Sequence, residues 1–376
     1  MELSREQLKG LSAALCAAFP SSADLKRMIR FELGENPNIV AGEAPNLAHG
    51  VYNLIEWALA HDKMADLIHA AVEANPDNTE LRPFARIAAQ FYVDKADGHS
   101  RNEEYDVAIS NYNHATDLDP QFAKAYNNRG NTYRRMTPPQ NEAAVADYNR
   151  AIELDADFAK AYNNRGDTYL QLAPPNYDAS IADYTEATRI QPDFLEAQQN
   201  LPWAYYDRGR AYRKQRSYDK AIADFTETLK INSEDIILTC RVYLQRGDVY
   251  SVLHKDNEAL SDFDEVISLL YVNNSSFRLF HAYDSNSKNA FVLLAAVSWA
   301  HFRRGNIYHE QGRYKTALLE YNSAEEVGLA EQILYRSRSK TYAALGRQAE
   351  AEADLVQAQQ VEKANSAFRR VKELLN

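Results

Sequence analysis

Tyr126-Asn127-Asn128-Arg129-Gly130-Asn131-Thr132-Tyr133 is one of six copies of the same short pattern. A ring stands four residues before a small residue, and another ring three residues after it. The pattern returns as Tyr162/Arg165/Gly166/Tyr169, Tyr205/Arg208/Gly209/Tyr212 and Tyr243/Arg246/Gly247/Tyr250. His301/Arg304/Gly305/Tyr308 and Tyr335/Arg338/Ser339/Tyr342 complete the set. The three anchors share one helix face, because residues i, i+4 and i+7 do. Each copy is followed by a second pattern, such as Tyr218-x2-Ala221-Ile222-x-Asp224-Phe225. Repetition at this period implies helix pairs stacked into an array. Arrays present surfaces more often than active sites, so the pattern points toward binding.

The small residue lets two helices approach closely, and the rings fill the space around it. This pattern resembles the tetratricopeptide repeat: ring at position 4, small residue at 8, Tyr at 11, Ala at 20, ring at 24, Ala at 27 and often Pro at 32. Pro192 stands at that last place. The resemblance covers residues 84–376 and implies a right-handed α-solenoid of about seven repeats. The first repeat reads as degenerate, with Phe84, Ile87, Ala88 and Phe91 in its first helix. Its second helix and the residue after it supply Tyr105, Ala108, Tyr112, Ala115 and Pro120. A long polar loop is expected near Asp94–Glu103. End repeats have only one neighbour, so such drift is reasonable there. Ala364–Leu375 reads as a C-terminal cap helix with Arg369, Arg370 and Lys372 facing water.

Anchor spacing is uneven. From the second-helix ring to the next small residue the interval is 18 residues at Tyr148→Gly166 and at Tyr321→Ser339. It is 25 at Tyr184→Gly209 and 22 at Phe225→Gly247, excesses of about two turns and one turn of helix. These read as lengthened helices that keep their packing face. At Phe263→Gly305 the interval is 42, which implies an insertion around 272–290. It contains the aromatic run Phe277–Tyr283 between two turn-rich clusters, a surface loop or a specificity element.

Six repeats carry Arg at position 7: Arg129, Arg165, Arg208, Arg246, Arg304 and Arg338. The same six carry an acid at position 23: Asp147, Asp183, Asp224, Asp262, Glu320 and Asp354. The expectation is a ladder of ion pairs between neighbouring helices. Treated as exposed, each pair would contribute about 0–1 kcal/mol and mainly fix register. The first repeat, with Ile87 and Asn111, reads as lacking both.

In tetratricopeptide arrays the first helix lines the concave face. The resemblance therefore makes Lys124, Asn127, Asn128, Asn131 and Arg134 groove candidates, with Lys160, Asn163, Asn164, Asp167 and Arg210. A row of Asn both donates and accepts, which suits an extended peptide backbone. The set matches the dicarboxylate clamp of chaperone-binding members poorly, because Asp167 and Asp207 intrude.

Residues 1–83 lack the repeat. Helices are expected over Leu3–Ala18, with Ser4 and Gln7 as a capping box, from Ser22 to about Leu33, over Asn46–Leu59 and over Met64–Glu73. A last short helix is expected from Asn78. Leu11-x3-Leu15-x3-Phe19-Pro20, Leu25-x2-Met28-Ile29 and Val51-x2-Leu54-Ile55-x-Trp57-Ala58 stand in order. Leu67-Ile68-x-Ala70-Ala71 and Asn75-Pro76-x-Asn78-x2-Leu81 follow. This series resembles the bacterial effector-associated domain, type 1. The resemblance implies a small death-like helical bundle whose members pair with matching copies on effectors, often in defence or self-killing systems.

The repeats and the N-terminal helices together make the expected fold class all-α, and composition agrees with a folded protein. Of 376 residues, 25% are charged and 45% apolar, which excludes a disordered chain. The net charge of −11 argues against nucleic acid, while leaving room for a local basic patch. Cys16 and Cys240 give no disulfide framework and suit a reducing cytoplasm. The start lacks a basic, then apolar, leader. The longest apolar run, Phe291–Ala300, falls far short of the roughly 20 residues that span a bilayer. No Gly-rich phosphate loop, nucleophile elbow or paired CxxC is present. His301 and His309 stand too far apart for a shared metal, and His281/Asp284/Ser285 is only a local coincidence. No catalytic residue, metal or cofactor is expected.

The sequence thus reads as a cytoplasmic, non-enzymatic adaptor. Its N-terminal bundle would recruit an effector carrying a matching domain while its repeats hold a protein or peptide. A peptide-binding scaffold or co-chaperone with a merely structural N-terminal bundle is the alternative.

Overall fold

The computed structural model describes residues 1–231, 235–269 and 288–375, with side chains for all of these except 288–291 and 365–375. The described residues are all-α, with no strand among them. Most of the insertion around 272–290, including Phe277–Tyr283, lies outside them, as do the Arg369, Arg370 and Lys372 side chains.

Two compact units divide the chain, Met1–Ala197 and Gln198–Asn376. The first opens with α1 (Arg5–Ala18), α2 (Ser22–Phe31), α3 (Pro37–Val40), α4 (Leu47–Ala60) and α5 (Met64–Ala74). Ser4 and Gln7 form the capping box at α1. The cap of α2 is Ser21, one residue before the expected Ser22, and its side chain accepts from the Asp24 N–H. Asn46 caps α4. The short α3, with Pro37 in its first turn, is too brief to show periodicity in the sequence.

Next comes α6 (Arg82–Arg101), a single helix of 20 residues. It replaces the short helix expected from Asn78, and only 102–104 separate it from α7 (Tyr105–Leu118). Most of the loop expected near Asp94–Glu103 is instead the last turns of this helix, with Asp94, Lys95 and Arg101 exposed. Its inner side carries Ala85, Ala88, Ala89, Tyr92, Val93 and Ala96, all buried. The start of α6 closes the N-terminal bundle: a Cβ on Gly10 would lie 3.2 Å from the Phe84 ring. Its far end is the first helix of the first repeat. Buried residues from Leu11 to Ala125 therefore form one continuous core, with no break at residue 83.

Further helix pairs are α8 (Ala123–Arg135) with α9 (Asn141–Leu154), and α10 (Ala159–Gln171) with α11 (Tyr177–Ile190). The next pair is α12 (Leu195–Lys214) with α13 (Tyr218–Ile231). The second unit continues with α14 (Ile236–Val252), α15 (Asp256–Ser268), α16 (Lys288–Glu310), α17 (Tyr314–Val327), α18 (Gln332–Ala344) and α19 (Gln348–Leu375). Helices α8 and α10 have 13 residues, α12 has 20 and α14 has 17. The spacing excesses are thus added helical turns. In the second unit the core is segmented, and each cluster joins one pair to the first helix of the next. Tyr206, Ala221 and Phe225 pack with Leu238, Val242 and Val249; Phe302, Ala317 and Tyr321 pack with Leu334. This neighbour-only burial is the signature of a repeat array.

The small residue at position 8 has a steric reason. A Cβ added to Gly130 would lie 2.8 Å from the Tyr148 ring, and one on Gly305 only 2.6 Å from Tyr321. Ser339 takes this place in the last repeat and uses its extra atom, with Oγ donating to the Ala351 carbonyl at 2.8 Å.

Candidate functional site

Each position-7 arginine meets the acid of its own second helix, and five of the six also hold the second helix before it. Arg129 donates from Nε and Nη2 to Asp147 at 2.8 and 2.7 Å. Arg165 meets Asp183 at 2.8 and 2.6 Å, and Arg208 meets Asp224 at 2.8 and 2.7 Å. Arg246–Asp262 and Arg338–Asp354 repeat the fork at 2.7–2.9 Å. In the sixth repeat the longer Glu320 arrives end-on. It takes Arg304 Nη2 at 3.0 Å, leaves the buried Nε without a hydrogen-bond partner, and turns its other oxygen to His301 at 2.8 Å.

The remaining Nη1 reaches back to the preceding repeat. It donates to Asn113 from Arg129 at 2.7 Å, and to Asn149 from Arg165 at 2.6 Å. Thr226 accepts from Arg246 at 3.0 Å, Asp264 pairs with Arg304 at 3.0 Å, and Asn322 accepts from Arg338 at 2.9 Å. Each acceptor directly follows the ring of its helix, a third member that the sequence reading missed. Five guanidinium groups also lie over their position-4 Tyr ring, at 5.3 Å for Tyr126 and 5.4 Å for Tyr162, whereas Arg304, whose position 4 is His301, lies over Tyr308 at 6.0 Å. The four position-23 aspartates of repeats two to five and Asp354 are buried, unlike the exposed pairs expected. Burial works against the Arg129 charge, but the Asp147 hydrogen bonds and charge outweigh it and hold the guanidinium protonated.

Ring hydroxyls correct the register of the first repeat. Tyr148 donates to Asn131 at 2.8 Å, Tyr184 to Asp167 at 2.7 Å and Tyr321 to Asn306 at 2.8 Å. Tyr112 donates to Asp97 in the same way. Asp97 is therefore position 9. Ala96 is the small residue, Tyr92 the first ring, and Lys95 stands in the place of the arginine. Phe84, Ile87, Ala88 and Phe91 lie two turns too early. Asn111 does occupy position 23, where its amide donates to the Val107 carbonyl at 2.7 Å.

Most of the Asn groove candidates are spent on stacking. Asn127 is 1% exposed, Asn163 0% and Asn164 4%. Asn128 donates to Asp97 at 3.0 Å, and Asn164 to Asn127 at 2.9 Å. Asn131 accepts from Tyr148, and Arg134 pairs with Asp167 at 2.7 Å. First helices approach so closely that these short amides bridge them and are withdrawn from water. Lys124, Lys160 and Arg210 remain exposed. Arg210 belongs to an open cavity of about 490 Å³ lined from α12, the turn after it, Tyr218 of α13, and α14.

A second cavity, of about 230 Å³, lies where the N-terminal bundle meets the first repeat. The His69 ring of α5 meets His114 of α7 edge-on at 4.8 Å, and Tyr92 of α6 donates to Asp66 at 2.6 Å. Burial lowers the His69 pKa below its ordinary 6.5, and His114 pushes the same way against Glu73, Asp117 and Asp66. The unfolded chain therefore binds a proton that folded His69 resists. Its contribution to stability is present above about pH 6.5 and is lost as pH falls below that value. Melting of the full chain is expected to weaken below pH 6.5, and His69→Gln to flatten that fall. An identical slope in the variant removes His69 as the cause.

A bundle sharing a helix with an array of stacked helix pairs defines an all-α interaction protein. Residues 1–89 match the family model of effector-associated domain 1. Residues 101–136 and 140–172 match a TPR repeat model, and 159–194 and 202–235 match tetratricopeptide repeat models. The chain is an effector-associated domain 1 followed by tetratricopeptide repeats. Among solved structures, the first TPR of Spaghetti (RPAP3), bound to the HSP90 peptide SRMEEVD, is 27% identical. The match covers 31% of this chain and 89% of that one, with a TM-score of 0.29. Two structures of MamA are 22% and 24% identical. These cover 50% and 45% of this chain and 97% and 90% of theirs, at TM-scores of 0.37 and 0.34. No curated protein matches. Among the described residues no helix is long and apolar enough to cross a membrane.

Proposed function

We propose that this chain is a non-enzymatic adaptor or sensor of a bacterial defence or programmed-death-type system, acting in the cytoplasm. The N-terminal domain, residues 1–83 in the sequence reading, pairs with a matching domain on an effector. The repeats bind a second protein or peptide. One observation carries this reading: α6 ends the first domain and begins the array, so the two share one core. One chain carries both surfaces, so a partner held by either is tethered to a partner held by the other, which raises the effector's local concentration. The groove expectation narrows accordingly. Asn127, Asn163 and Asn164 support the stack, and exposed cations take the part of contacting a partner.

The test uses the full chain, because a cut at 83 would split α6. Immobilised chain is exposed to lysate of its source organism and retained proteins are identified. The reading expects a protein carrying its own effector-associated domain 1, lost when surface charges of α2 are reversed (Arg27→Glu with Arg30→Glu). Retention of chaperones or extended peptides alone would favour the scaffold alternative.

A further inference from the structure

Three rings meet where the N-terminal bundle joins the first repeat, one from each of three helices. His69 of α5 stands edge-on to His114 of α7 at 4.8 Å. Tyr92 of α6 lies 5.1 Å from His114 and 6.3 Å from His69. Helix α5 packs against both α6 and α7, so the two partly buried histidines face each other across the seam. The repeat pattern makes His114 unusual. Two residues after the second-helix ring, repeats two to five carry Arg150, Glu186, Glu227 and Glu265, all charged at neutral pH. In the first repeat α5 covers this place, and a side chain that can be neutral stands in it.

A proton on His69 has no close acceptor. On the same helix Asp66 is already held by Tyr92 at 2.6 Å and by Lys63 at 2.9 Å. Glu73 lies 3.9 Å away, beyond hydrogen-bond reach. Glu35, after α2, lines the adjoining cavity, and Lys95 of α6 and Asp117 of α7 act on the cluster from the other two helices. Asp66, Glu73 and Asp117 attract the proton, but burial and His114 outweigh them. The cavity of about 230 Å³ beside the rings is open to solvent. A protonated His69 is hydrated there by turning away from its neighbour.

We propose that His69 and His114 form a proton-operated latch between the bundle and the first repeat, closed while the rings are neutral and released when His69 takes a proton. Release parts α5 from α7 and leaves the shared helix α6 to connect the two domains. Histidine changes charge just below neutrality, so mild acidification is the signal. The closed seam resists the proton, so the contact holds above about pH 6.5 and is lost as pH falls below that value. The opening is local to the seam, which sets it apart from a general loss of stability. The latch does not depend on which partners the chain binds.

Hydrogen exchange of the full chain, read by mass spectrometry at about pH 7.5 and about pH 5.5, tests it. Helix α9 serves as the internal reference for the intrinsic exchange rate. Relative to α9, protection of α5 and of the facing turns of α7 is expected to fall about tenfold at the lower pH, the limit for one proton at one pH unit below 6.5. Protection of α1 should follow that of α9. His69→Gln is expected to keep the fall below about twofold, since glutamine takes no proton. His49→Gln, exposed on α4, should leave the fall as in the parent. An equal fall in α1 and α5 would mean that the whole domain unfolds and would overturn the latch. So would the absence of a fall, or one that persists in His69→Gln. If His69→Gln fails to fold, His114→Gln is the second variant. It removes the neighbour that opposes the proton and is expected to shrink the fall, and an unchanged fall there also overturns the latch.

Discussion

Asp183→Ala is expected to destabilise the first unit by about 3–5 kcal/mol, read from the urea unfolding of the full chain. Asp183 is 4% exposed and receives two hydrogen bonds from Arg165. Removing it leaves a half-buried guanidinium whose remaining acceptor is Asn149. The double change Arg165→Met with Asp183→Leu removes both charges and fills similar volume. It should recover most of the loss, since well-packed apolar replacements of buried pairs are often neutral. A loss below about 1 kcal/mol for the single variant would return the pair to the class of exposed bridges. This rung holds register because Arg165 grips two helices, and the double variant should retain helicity while losing that restraint.

Phe225→Ala is expected to cost the second unit about 3–5 kcal/mol, the range for truncating a buried large ring. The ring is 0% exposed, and a Cβ on Gly209 would lie 2.8 Å from it. Its removal opens a void that a rigid pair of helices cannot close. Unfolding followed by tryptophan fluorescence should report the change, because Trp203 packs on the same cluster. Retention of parent stability would show that the helices collapse onto the gap. The choice of Phe here has its own logic. Where the ring is Tyr, its hydroxyl donates to an acceptor at position 9: Asp97, Asn131, Asp167 or Asn306. In the fourth repeat position 9 is Arg210, which has no acceptor to offer. In the fifth it is Asp248, already held by Arg213 and Arg303.

The repeat anchors were legible because they obey contacts within one helix pair. The ring, the small residue and the acid of repeats two to seven carry their geometry in their spacing. The added turns in α12 and α14 were legible for the same reason. The first repeat was not, because α6 offers two overlapping sets eight residues apart. Phe84/Ala88/Phe91 and Tyr92/Ala96/His99 both satisfy helical spacing. Only the Tyr112–Asp97 contact with the following helix separates them. The burial of Asn127 and Asn164 depends on the distance between neighbouring repeats, which a single repeat does not encode. The cavity beside Arg210 joins α12, a turn, the start of α13 and α14, so its residues are scattered in the sequence.

The central claim is that one chain joins two partners. A repeat ligand recovered from lysate, fixed on a surface, is incubated with a purified protein carrying effector-associated domain 1, with and without this chain. The account predicts that the effector is retained only when the chain is present, and is lost with the α2 charge-reversal double. Retention without the chain, or no retention while the chain itself is bound, would contradict it.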